Sequence, residues 1–414
     1  MLTRRRFIQA GLTVALGSIL TGYGGYRLSA SLQGTREALA ALRASRTPLA
    51  LLEGYREFRG VIHAHTRLSH DSHGTPAEIL SAASDAKLNF LVTTDHYTPD
   101  IFTEGMQGLQ ENVVVTRGVE APLGCTRDRG LGRRCGAVLA FGLRDPFNPD
   151  AFGRGKPLFD AIHDQGALAI IAHPRGAPDA AYFEWADGME IYDIADIMRD
   201  RLVEVPRYLL DFLLAHAEYQ DELFVSIVER LNWHLRQWDR LTRMRRFVGI
   251  AGNDAHQNLA IFGLHVDPYP LIFRALNTHI VVPTETSEAL VILDPPLSEG
   301  RLLAALRAGR VFSSFNLLAD ASGFHFVARR GDAGQILGVI GDQVGMQEGT
   351  VLIVRSPVPG ELVLLRDGFP VSRTVGRSLS YAVDRPGVYR VEVSLRVMDR
   401  WRPWIFANPI YVRG

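Results

Sequence analysis

Histidines and carboxylates recur after apolar stretches of this sequence, beginning with the segment Arg59–His65. Val61 and Ile62 lead directly into His63 and His65, which stand two residues apart. If this segment is a strand, residues i and i+2 point to the same side, and two imidazoles would face one cation. A His-x-His pair can also consist of ordinary surface or loop histidines, so this pair alone leaves metal binding open.

The same pattern recurs at the ends of four further apolar stretches. Their closing residues are Thr93-Thr94-Asp95-His96, Gly118-Val119-Glu120, Ile171-Ala172-His173-Pro174 and Gly252-Asn253-Asp254-Ala255-His256. Asp71 lies in the loop after the first stretch and can reach the same place. Any single histidine here could be a hydrogen-bonded structural side chain, but the recurrence favours a shared metal site.

The chemistry of this donor set points to divalent metal ions. Imidazoles and carboxylates without thiolates suit zinc, manganese or iron. Five or more imidazoles and several carboxylates exceed the needs of one tetrahedral ion, so we predict two or three ions. Such clusters lower the pKa of a bound water and hold the attacking and leaving oxygens of a hydrolysed ester.

The apolar stretches themselves predict the fold. Seven of them predict buried strands, at Val61–His65, Phe90–His96, Val113–Glu120, Ala137–Gly142, Ala167–His173, Gly188–Tyr192 and Phe247–His256. Helical or loop sequence separates them, and Thr75-Pro76-Ala77-Glu78 predicts a capped helix start. This alternation predicts an α/β fold with a parallel sheet and crossovers, and seven strands favour a (β/α) barrel over an open sheet. The carboxyl ends of barrel strands converge on one face, where the polar residues would meet.

The rest of the chain predicts two further regions. Ile197–Arg245 predicts a helical insertion that serves either core packing or as a lid over the site. Leu302–Val311 predicts the last helix of the barrel region, residues 59–311. Short alternating runs and the turn dipeptide Asp367-Gly368 then predict an immunoglobulin-like β-sandwich over residues 312–414.

The N-terminus predicts export. Thr3-Arg4-Arg5-Arg6-Phe7-Ile8-Gln9 resembles a twin-arginine signal, and the uncharged residues 7–26 could instead anchor the chain in a membrane. A basic, apolar helix without a targeting role is the alternative. We assign residues 1–30 to this signal or anchor and residues 31–58 to a helical linker.

The two cysteines and the overall charge add weaker constraints. Cys125 and Cys135 flank a charged, Gly-rich segment, and a disulfide between them suits an oxidising compartment, although two unpaired thiols are the alternative. The chain has 45 Lys plus Arg and 45 Asp plus Glu, which disfavours a nucleic-acid binder built on bulk positive charge.

In their order along the chain, the motifs resemble those of the PHP (polymerase and histidinol phosphatase) superfamily. The resemblance covers Arg59 to Val311 and implies a distorted seven-stranded barrel with two or three metal ions. It also implies phosphoesterase activity on a small-molecule ester, with a metal-bridging hydroxide as nucleophile. The metal ligands that it implies are His63, His65, Asp71, His96, Glu120, His173, Asp254 and His256. Glu120 would be the bridging carboxylate, and Asp95 would orient neighbouring groups rather than ligate.

One position departs from the family pattern. The family often has a Gly-His pair at the head of the fourth strand, where this chain has Gly136-Ala137. His70 or His73, which flank Asp71, could take the place of the missing ligand. The departure puts the third metal ion in doubt more than the site as a whole.

Three more polar residues lie near the predicted site. Arg175, two residues after His173, is a candidate phosphate or oxyanion clamp, or else a surface arginine that caps a loop. Glu190 and Asp193, at the end of the sixth strand, either line the rim of the pocket or make structural hydrogen bonds.

We therefore expect an exported metal-dependent hydrolase, with phosphoric esters favoured as substrates. A carboxylic ester or carbamate stays open because the same chemistry attacks carbonyl groups. The tail Trp404–Val412 resembles that of PHP proteins with a C-terminal sandwich, a branch that includes carbaryl-type ester hydrolases. A non-catalytic metal-binding protein is the second class, supported by Ala137. An amidohydrolase-type barrel also begins with His-x-His, but the Thr-Asp-His and Gly-Asn-Asp-Ala-His motifs argue against it.

Overall fold

The computed structural model describes most of the chain. The described residues are 28, 30–128, 132–200, 205–261, 263–284, 297–332 and 334–414. The predicted signal or anchor, residues 1–30, lies outside them except for positions 28 and 30. Within the described part of the chain, no helix combines the length and the apolar character needed to cross a membrane.

Helices and strands alternate through the first three quarters of the chain. The helices are α1 (residues 30–44), α2 (Pro76–Asp85), α3 (Ile101–Glu104), α4 (Lys156–Asp164), α5 (Tyr182–Trp185), α6 (Ile194–Asp200), α7 (Val205–Ile227), α8 (Asn232–Met244), α9 (Tyr269–Ala275) and α10 (Glu299–Ala308). The first strands are β1 (Tyr55–Ala64), β2 (Phe90–His96), β3 (Gly108–Gln110), β4 (Val113–Asp128), β5 (Gly132–Phe141), β6 (Leu168–Ala172), β7 (Gly188–Asp193) and β8 (Val248–Gly252). The later strands are β9 (Ala260–Ile261), β10 (Leu264–His265), β11 (Leu276–Pro283), β12 (Val311–Phe315), β13 (His325–Arg330), β14 (Ile336–Val339), β15 (Gln343–Gly345), β16 (Thr350–Arg366), β17 (Phe369–Ala382), β18 (Gly387–Val397) and β19 (Arg400–Arg413). Each of the seven predicted strands is present, as β1, β2 and β4 to β8.

The central sheet is mixed rather than parallel throughout. β1, β2 and β4 pair in parallel, as do β6, β7 and β8. β5 is antiparallel to both β4 and β6, so the predicted parallel sheet is wrong at this strand. The cause is the connection between β4 and β5, which pair up to Asp128 and Gly132. Three intervening residues allow a hairpin but not a crossover.

The α/β class is confirmed, and the closed barrel stays a prediction. The strand pairings give an open order that runs from β8 through β5 and β1 to β11 and β12. Backbone hydrogen bonds also connect the first and last of the seven strands. Asn253 N–H donates to Ile62 C=O at 3.0 Å, and His65 N–H donates to Ala255 C=O at 2.9 Å.

Local signals in the sequence are realised where they were predicted. At the start of α2, Thr75 Oγ1 accepts the Glu78 N–H, and Glu78 Oε2 accepts the Thr75 N–H at 2.9 Å. The hairpin between β16 and β17 turns at Asp367 and Gly368, which both have positive φ. A two-residue turn of this kind matches the twist of the flanking strands.

Both segments that were predicted to be helical contain helices. The predicted linker contains α1, which packs against the rest of the protein: Leu39 is buried, and Arg36 Nε lies 2.9 Å from Glu222 on α7. The same linker was predicted to extend to residue 58, whereas β1 already begins at Tyr55. The predicted helical insertion is three helices, α6, α7 and α8.

The C-terminal region is rich in strands and compatible with the predicted sandwich. β16 pairs with β13, β17 and β18, and β18 pairs with β19. β12 pairs with both β11 and β19, so hydrogen bonding continues from the first region into the last. The boundary at residue 311 stays a prediction.

Candidate metal centre

All eight predicted ligands lie at the same end of the strands. His63 and His65 are at the end of β1, His96 ends β2, Glu120 lies within β4, and His173 follows β6. Asp254 and His256 follow β8, and Asp71 comes from the loop between β1 and α2. The strand-end logic of the sequence therefore brings donors from five strands to one place.

Unusual backbone conformations present three of these donors. His63, His173 and Asp254 have φ of 69°, 46° and 45°, in the left-handed region that side chains other than glycine seldom adopt. The pairing of β1 with β2 shifts register between Ile62 and Ala64. His63 and His65 therefore converge through an irregularity at His63 rather than through regular strand alternation. Such strain costs roughly 1–3 kcal/mol per residue and is found at functional sites.

The first group of donors consists of His63, His65, Glu120 and Asp254, whose ligand atoms lie within 4.8 Å of one another. Nε2 of His63 is 3.5 Å from Glu120 Oε2 and 3.3 Å from Asp254 Oδ1. Nε2 of His65 is 3.3 Å and 3.5 Å from the same two oxygens. Two donors about 2.1 Å from one tetrahedral ion are about 3.4 Å apart, which these separations match.

A second group shares His65 and adds Asp71, His96 and His256. Asp71 Oδ2 lies 3.3 Å from Nε2 of His96 and 3.4 Å from Nε2 of His256. The rings of His65 and His256 stack with centroids 3.9 Å apart. The side chains of Asp71 and His96 are about a third exposed, whereas His65 is fully buried. This group therefore forms the solvent-facing side of the centre.

His173 lies on the opposite side of the first group. Its Nε2 is 3.7 Å from Glu120 Oε1 and 3.6 Å from Asp254 Oδ2. In each of these two carboxylates, one oxygen faces His63 and His65 and the other faces His173. Carboxylates that bridge two metal ions have this arrangement. A third group of donors joins His63, His173 and Asp193 within the same 4.8 Å.

Hydrogen bonds on the far side of the rings determine which nitrogen of each histidine faces the centre. Nδ1–H of His63 donates to Glu190 Oε1 at 2.6 Å, and Nδ1–H of His256 donates to the Asp254 C=O at 3.0 Å. Nε2 of His63 and of His65 is buried and finds no hydrogen-bond partner among the described residues. A buried imidazole nitrogen that lacks a hydrogen-bond partner is placed to bind a metal ion once it releases its proton, so these residues fit a divalent ion.

Asp95 orients His65 through a serine. The Ser69 hydroxyl donates to Asp95 Oδ1 at 2.9 Å, so it must accept from Nδ1–H of His65, also at 2.9 Å. Asp95 accepts the Thr66 N–H as well, at 2.6 Å. Asp95 thus fixes the positions of Ser69 and Thr66, and its predicted role in orienting the metal ligands stays a prediction. Sequence reasoning missed Ser69, whose type alone gives no signal of the role.

The charges of the centre shift the pKa values of its members. Burial alone would lower the pKa of His65, but the carboxylates of Asp254 and Glu120, 3.5 Å and 3.3 Å from its Nε2, outweigh this effect and raise the pKa to about 9. Burial would raise the pKa values of Glu120 and Asp254, but the neighbouring histidines hold both well below their usual range. Burial raises the pKa of Glu190 to about 7 against the opposing effect of His63. Glu120 and Asp254 are therefore ionised and can balance the charge of a cation.

Glu190 and Asp193 lie on the Nδ1 side of His63 and His173, away from the centre, and both are fully buried. Glu190 accepts Nδ1–H of His63 and, at 3.0 Å, the backbone N–H of His173. Asp193 Oδ1 lies 3.5 Å from Nδ1 of His173. Of the two alternatives for these residues, structural hydrogen bonding describes Glu190.

The residues around the missing histidine do not supply an obvious replacement. Ala137 lies in β5 opposite Ala172, next to His173 in sequence. The ring of His70 is 4.9 Å from that of His96, and His73 is exposed. Among the described residues, neither His70 nor His73 belongs to a group that could hold an ion.

Arg175 follows His173 but is paired with a carboxylate. Its Nη1 lies 2.5 Å from Asp200 Oδ1, and Arg134 Nη2 lies 2.5 Å from the same oxygen. A clamp on a substrate oxyanion requires Arg175 to exchange this partner, so that role stays a prediction.

The two cysteines form a disulfide, as expected for one of the two alternatives. Cys125 of β4 and Cys135 of β5 are directly opposite in the antiparallel pair, and both are joined through sulfur. The bond lies on the hairpin that makes β5 antiparallel.

Comparisons with known proteins are sparse. The chain matches no protein-family model and no curated protein. It is similar to a solved structure from Bifidobacterium adolescentis, a protein provisionally described as a metal-dependent phosphoesterase. That similarity has 14% sequence identity and a TM-score of 0.30, and it covers 50% of this chain and 93% of the other. It is too distant to assign a fold or a function.

Proposed function

We propose that this protein is a metal-dependent hydrolase of ester bonds, with phosphoric esters as the favoured substrates. The observation that carries the proposal is the spacing of the donor atoms around Glu120 and Asp254. Imidazole nitrogens lie 3.3–3.5 Å from these carboxylate oxygens. These distances are longer than those of ordinary N–H···O hydrogen bonds. They match the distance between two neighbouring ligand atoms bound to the same metal ion.

The donor groups suggest which residues would hold each ion. His63, His65, Glu120 and Asp254 would hold one divalent ion, and Asp71, His96 and His256 a second. A third depends on His173. Zinc, manganese and iron all suit this donor set. Such ions lower the pKa of water and neutralise the negative charge of ester oxygens.

The protein's own residues would orient and sequester this centre. Glu190 and Ser69 hold protons on Nδ1 of His63 and His65, so that Nε2 keeps its lone pair. The fully buried side of the centre excludes water, and substrate would arrive on the side of Asp71 and His96, whose side chains are about a third exposed. A small-molecule ester fits this entry better than a polymer does, since only the outer donors are exposed.

The test is metal content by elemental analysis, with hydrolysis of aryl phosphate monoesters, diesters and carboxylic esters measured in parallel. We expect two or more ions per chain and loss of both ion and turnover in His63→Ala and His256→Ala. His163→Ala is the matched control because His163 pairs with Asp187 on the surface. The preferred ester would decide between phosphoric esters and the carboxylic ester or carbamate alternative.

A non-catalytic metal-binding protein is the second candidate. Ala137 in place of a histidine and the pairing of Arg175 with Asp200 favour it. This reading predicts a tightly held ion without turnover of any of the three ester classes after metal addition. That outcome would overturn the hydrolase proposal.

We also propose export from the cytoplasm, with membrane anchoring by residues 7–26 as the alternative to signal cleavage. The segment Thr3–Gln9 and the disulfide between Cys125 and Cys135 support it. In a bacterial host, Arg4→Lys combined with Arg5→Lys should retain the protein in the cytoplasm. Export of the double variant at the normal level would contradict a twin-arginine route.

A further inference from the structure

We propose that His234, on α8, positions His173 for metal binding by holding the Asp196 carboxylate behind its ring. The inference rests on the proposed metal centre and adds a residue outside every donor group. His234 and Asp196 are both buried, and Nε2–H of His234 donates to Asp196 Oδ2 at 2.8 Å. Burying such a histidine–carboxylate pair is costly, which points to a role for the pair. The ring of His173, 3.9 Å from Asp196 Oδ1, suggests what that role is.

His173 stands between two sets of carboxylates. Its Nε2 faces Glu120 and Asp254, at 3.7 Å and 3.6 Å. Its Nδ1 faces Asp193 and Asp196, at 3.5 Å and 3.9 Å, and has no hydrogen-bond partner among the described residues. A histidine that ligates through Nε2 carries its proton on Nδ1 and needs an acceptor there. The two aspartates are the acceptors in reach.

The other support residues show the same arrangement. His63 has Glu190 behind Nδ1, and His65 has Ser69 and Asp95. For His173 the corresponding acceptor is Asp193 Oδ1, which lies 3.5 Å from Nδ1.

The alternative is that Asp193 itself ligates an ion together with His63 and His173, since one donor group contains all three. Against this, Nδ1 of His63 is engaged by Glu190 at 2.6 Å, and Nε2 of His63 faces Glu120 and Asp254. Asp193 Oδ1 also accepts the Asp196 N–H at 2.8 Å, at the start of α6. This bond ties the two aspartates together as one acidic support behind His173.

The helix that carries His234 is itself held on two sides. Trp238 on α8 is fully buried and donates from Nε1 to the Phe247 C=O at 3.0 Å, just before β8. Asp239 lies 2.5 Å from Nε of Arg390, a buried residue of β18. These contacts fix α8 between the strand that precedes the Asp254–His256 donors and the C-terminal strands.

The test compares three variants of the full-length protein: His234→Leu, His234→Gln and His279→Leu. Leucine removes the donor to Asp196, and glutamine keeps an N–H near the position of Nε2. His279 is the matched control because it too is buried and paired with a carboxylate, Glu57 Oε1, at 2.7 Å. Glu57 is six residues before His63, which is about 20 Å along a strand.

The readouts are the number and dissociation constant of bound Zn²⁺, from titration against a competing chelator, and the visible absorption spectrum after Co²⁺ substitution. Loss of a residue that orients a ligand typically weakens metal binding by about 10- to 100-fold. We expect a loss of this size for the weakest-bound ion in His234→Leu, with an altered Co²⁺ spectrum. We expect recovery of most of the affinity in His234→Gln, and wild-type metal binding in His279→Leu even if it unfolds at a lower temperature.

Two results would overturn the inference. One is wild-type Zn²⁺ affinity and Co²⁺ spectrum in His234→Leu, and the other is an equal loss in His279→Leu, which would indicate general destabilisation. If the proposed metal centre itself is wrong, the results would differ from these two. The wild-type protein would then bind no Zn²⁺, or His63→Ala would bind as many ions as the wild type.

Discussion

The metal-free protein should lose stability as the pH rises from 6.5 to about 9.5, and His65 is the best-defined cause. Burial lowers the pKa of His65, but the facing carboxylates of Asp254 and Glu120 outweigh this effect and raise the pKa from 6.5 to about 9. The folded protein without metal therefore holds this proton more tightly than the unfolded chain does. The resulting stabilisation is complete below pH 6.5 and is lost as the pH rises through 9.

The magnitude follows from the difference between the two pKa values of His65. One pKa unit is equivalent to about 1.4 kcal/mol, so a rise from 6.5 to about 9 contributes about 3 kcal/mol to the free energy of unfolding. The pKa values of His63 and His173 are also raised, so their loss of protons has the same sign. Glu120 and Asp254, whose pKa values are lowered, stay ionised over this interval.

Bound metal should reverse this dependence. A divalent ion needs unprotonated imidazoles, so binding releases protons and its affinity rises with pH over the same interval. The assay is urea denaturation at pH 6 to about 9.5, with and without excess Zn²⁺, followed by tryptophan fluorescence. His65→Asn is the control because its amide can still donate to Ser69 but does not titrate. The reasoning is refuted if the metal-free wild type and His65→Asn lose the same free energy of unfolding across this pH range.

Three further substitutions test the support around the centre. A methyl group at Gly252 would overlap the Glu190 carboxylate, so Gly252→Ala should weaken metal binding about 10- to 100-fold. Unchanged metal affinity in the chelator titration would contradict this. Asp95→Asn leaves the Ser69 hydroxyl without its full acceptor and should weaken metal binding about 10-fold, checked by the same titration. Arg390→Met leaves the buried carboxylate of Asp239 unpaired and should cost about 3–5 kcal/mol in urea denaturation, whereas a loss below about 1 kcal/mol would show that the pair is dispensable.

Much of the local structure could be predicted from the sequence because its causes are local. The capping box at Thr75 and Glu78 and the turn at Asp367 and Gly368 depend on residues a few positions apart. The strands were recognisable because a continuous apolar run of this length is too short for a buried helix. A buried strand is then the main structure that remains. The donors stand directly after these runs, so the end of the sheet on which they meet followed from chain order.

The non-local features could not be predicted in the same way. The antiparallel course of β5 depends on a short connection beside the Cys125–Cys135 disulfide, and strand periodicity does not contain strand direction. The left-handed conformation of His63 has no sufficient sequence signal, because only a small minority of histidines adopt it and His65, two positions on, does not. The sequence left Arg175 as either an oxyanion clamp or a surface arginine, and nothing near it in sequence showed that Asp200 would be its partner.

The sequence by itself determined which candidate metal donors this protein has and the order in which its strands present them. Tertiary structure alone decided which nitrogen of each histidine faces the centre and which side chains stand behind it. The reason is that a histidine's tautomer is set by the hydrogen bond on its far side. For His63 the acceptor of that bond is Glu190, 127 residues away in the chain. For His173 the nearby carboxylate of Asp196 is held in turn by His234 on α8.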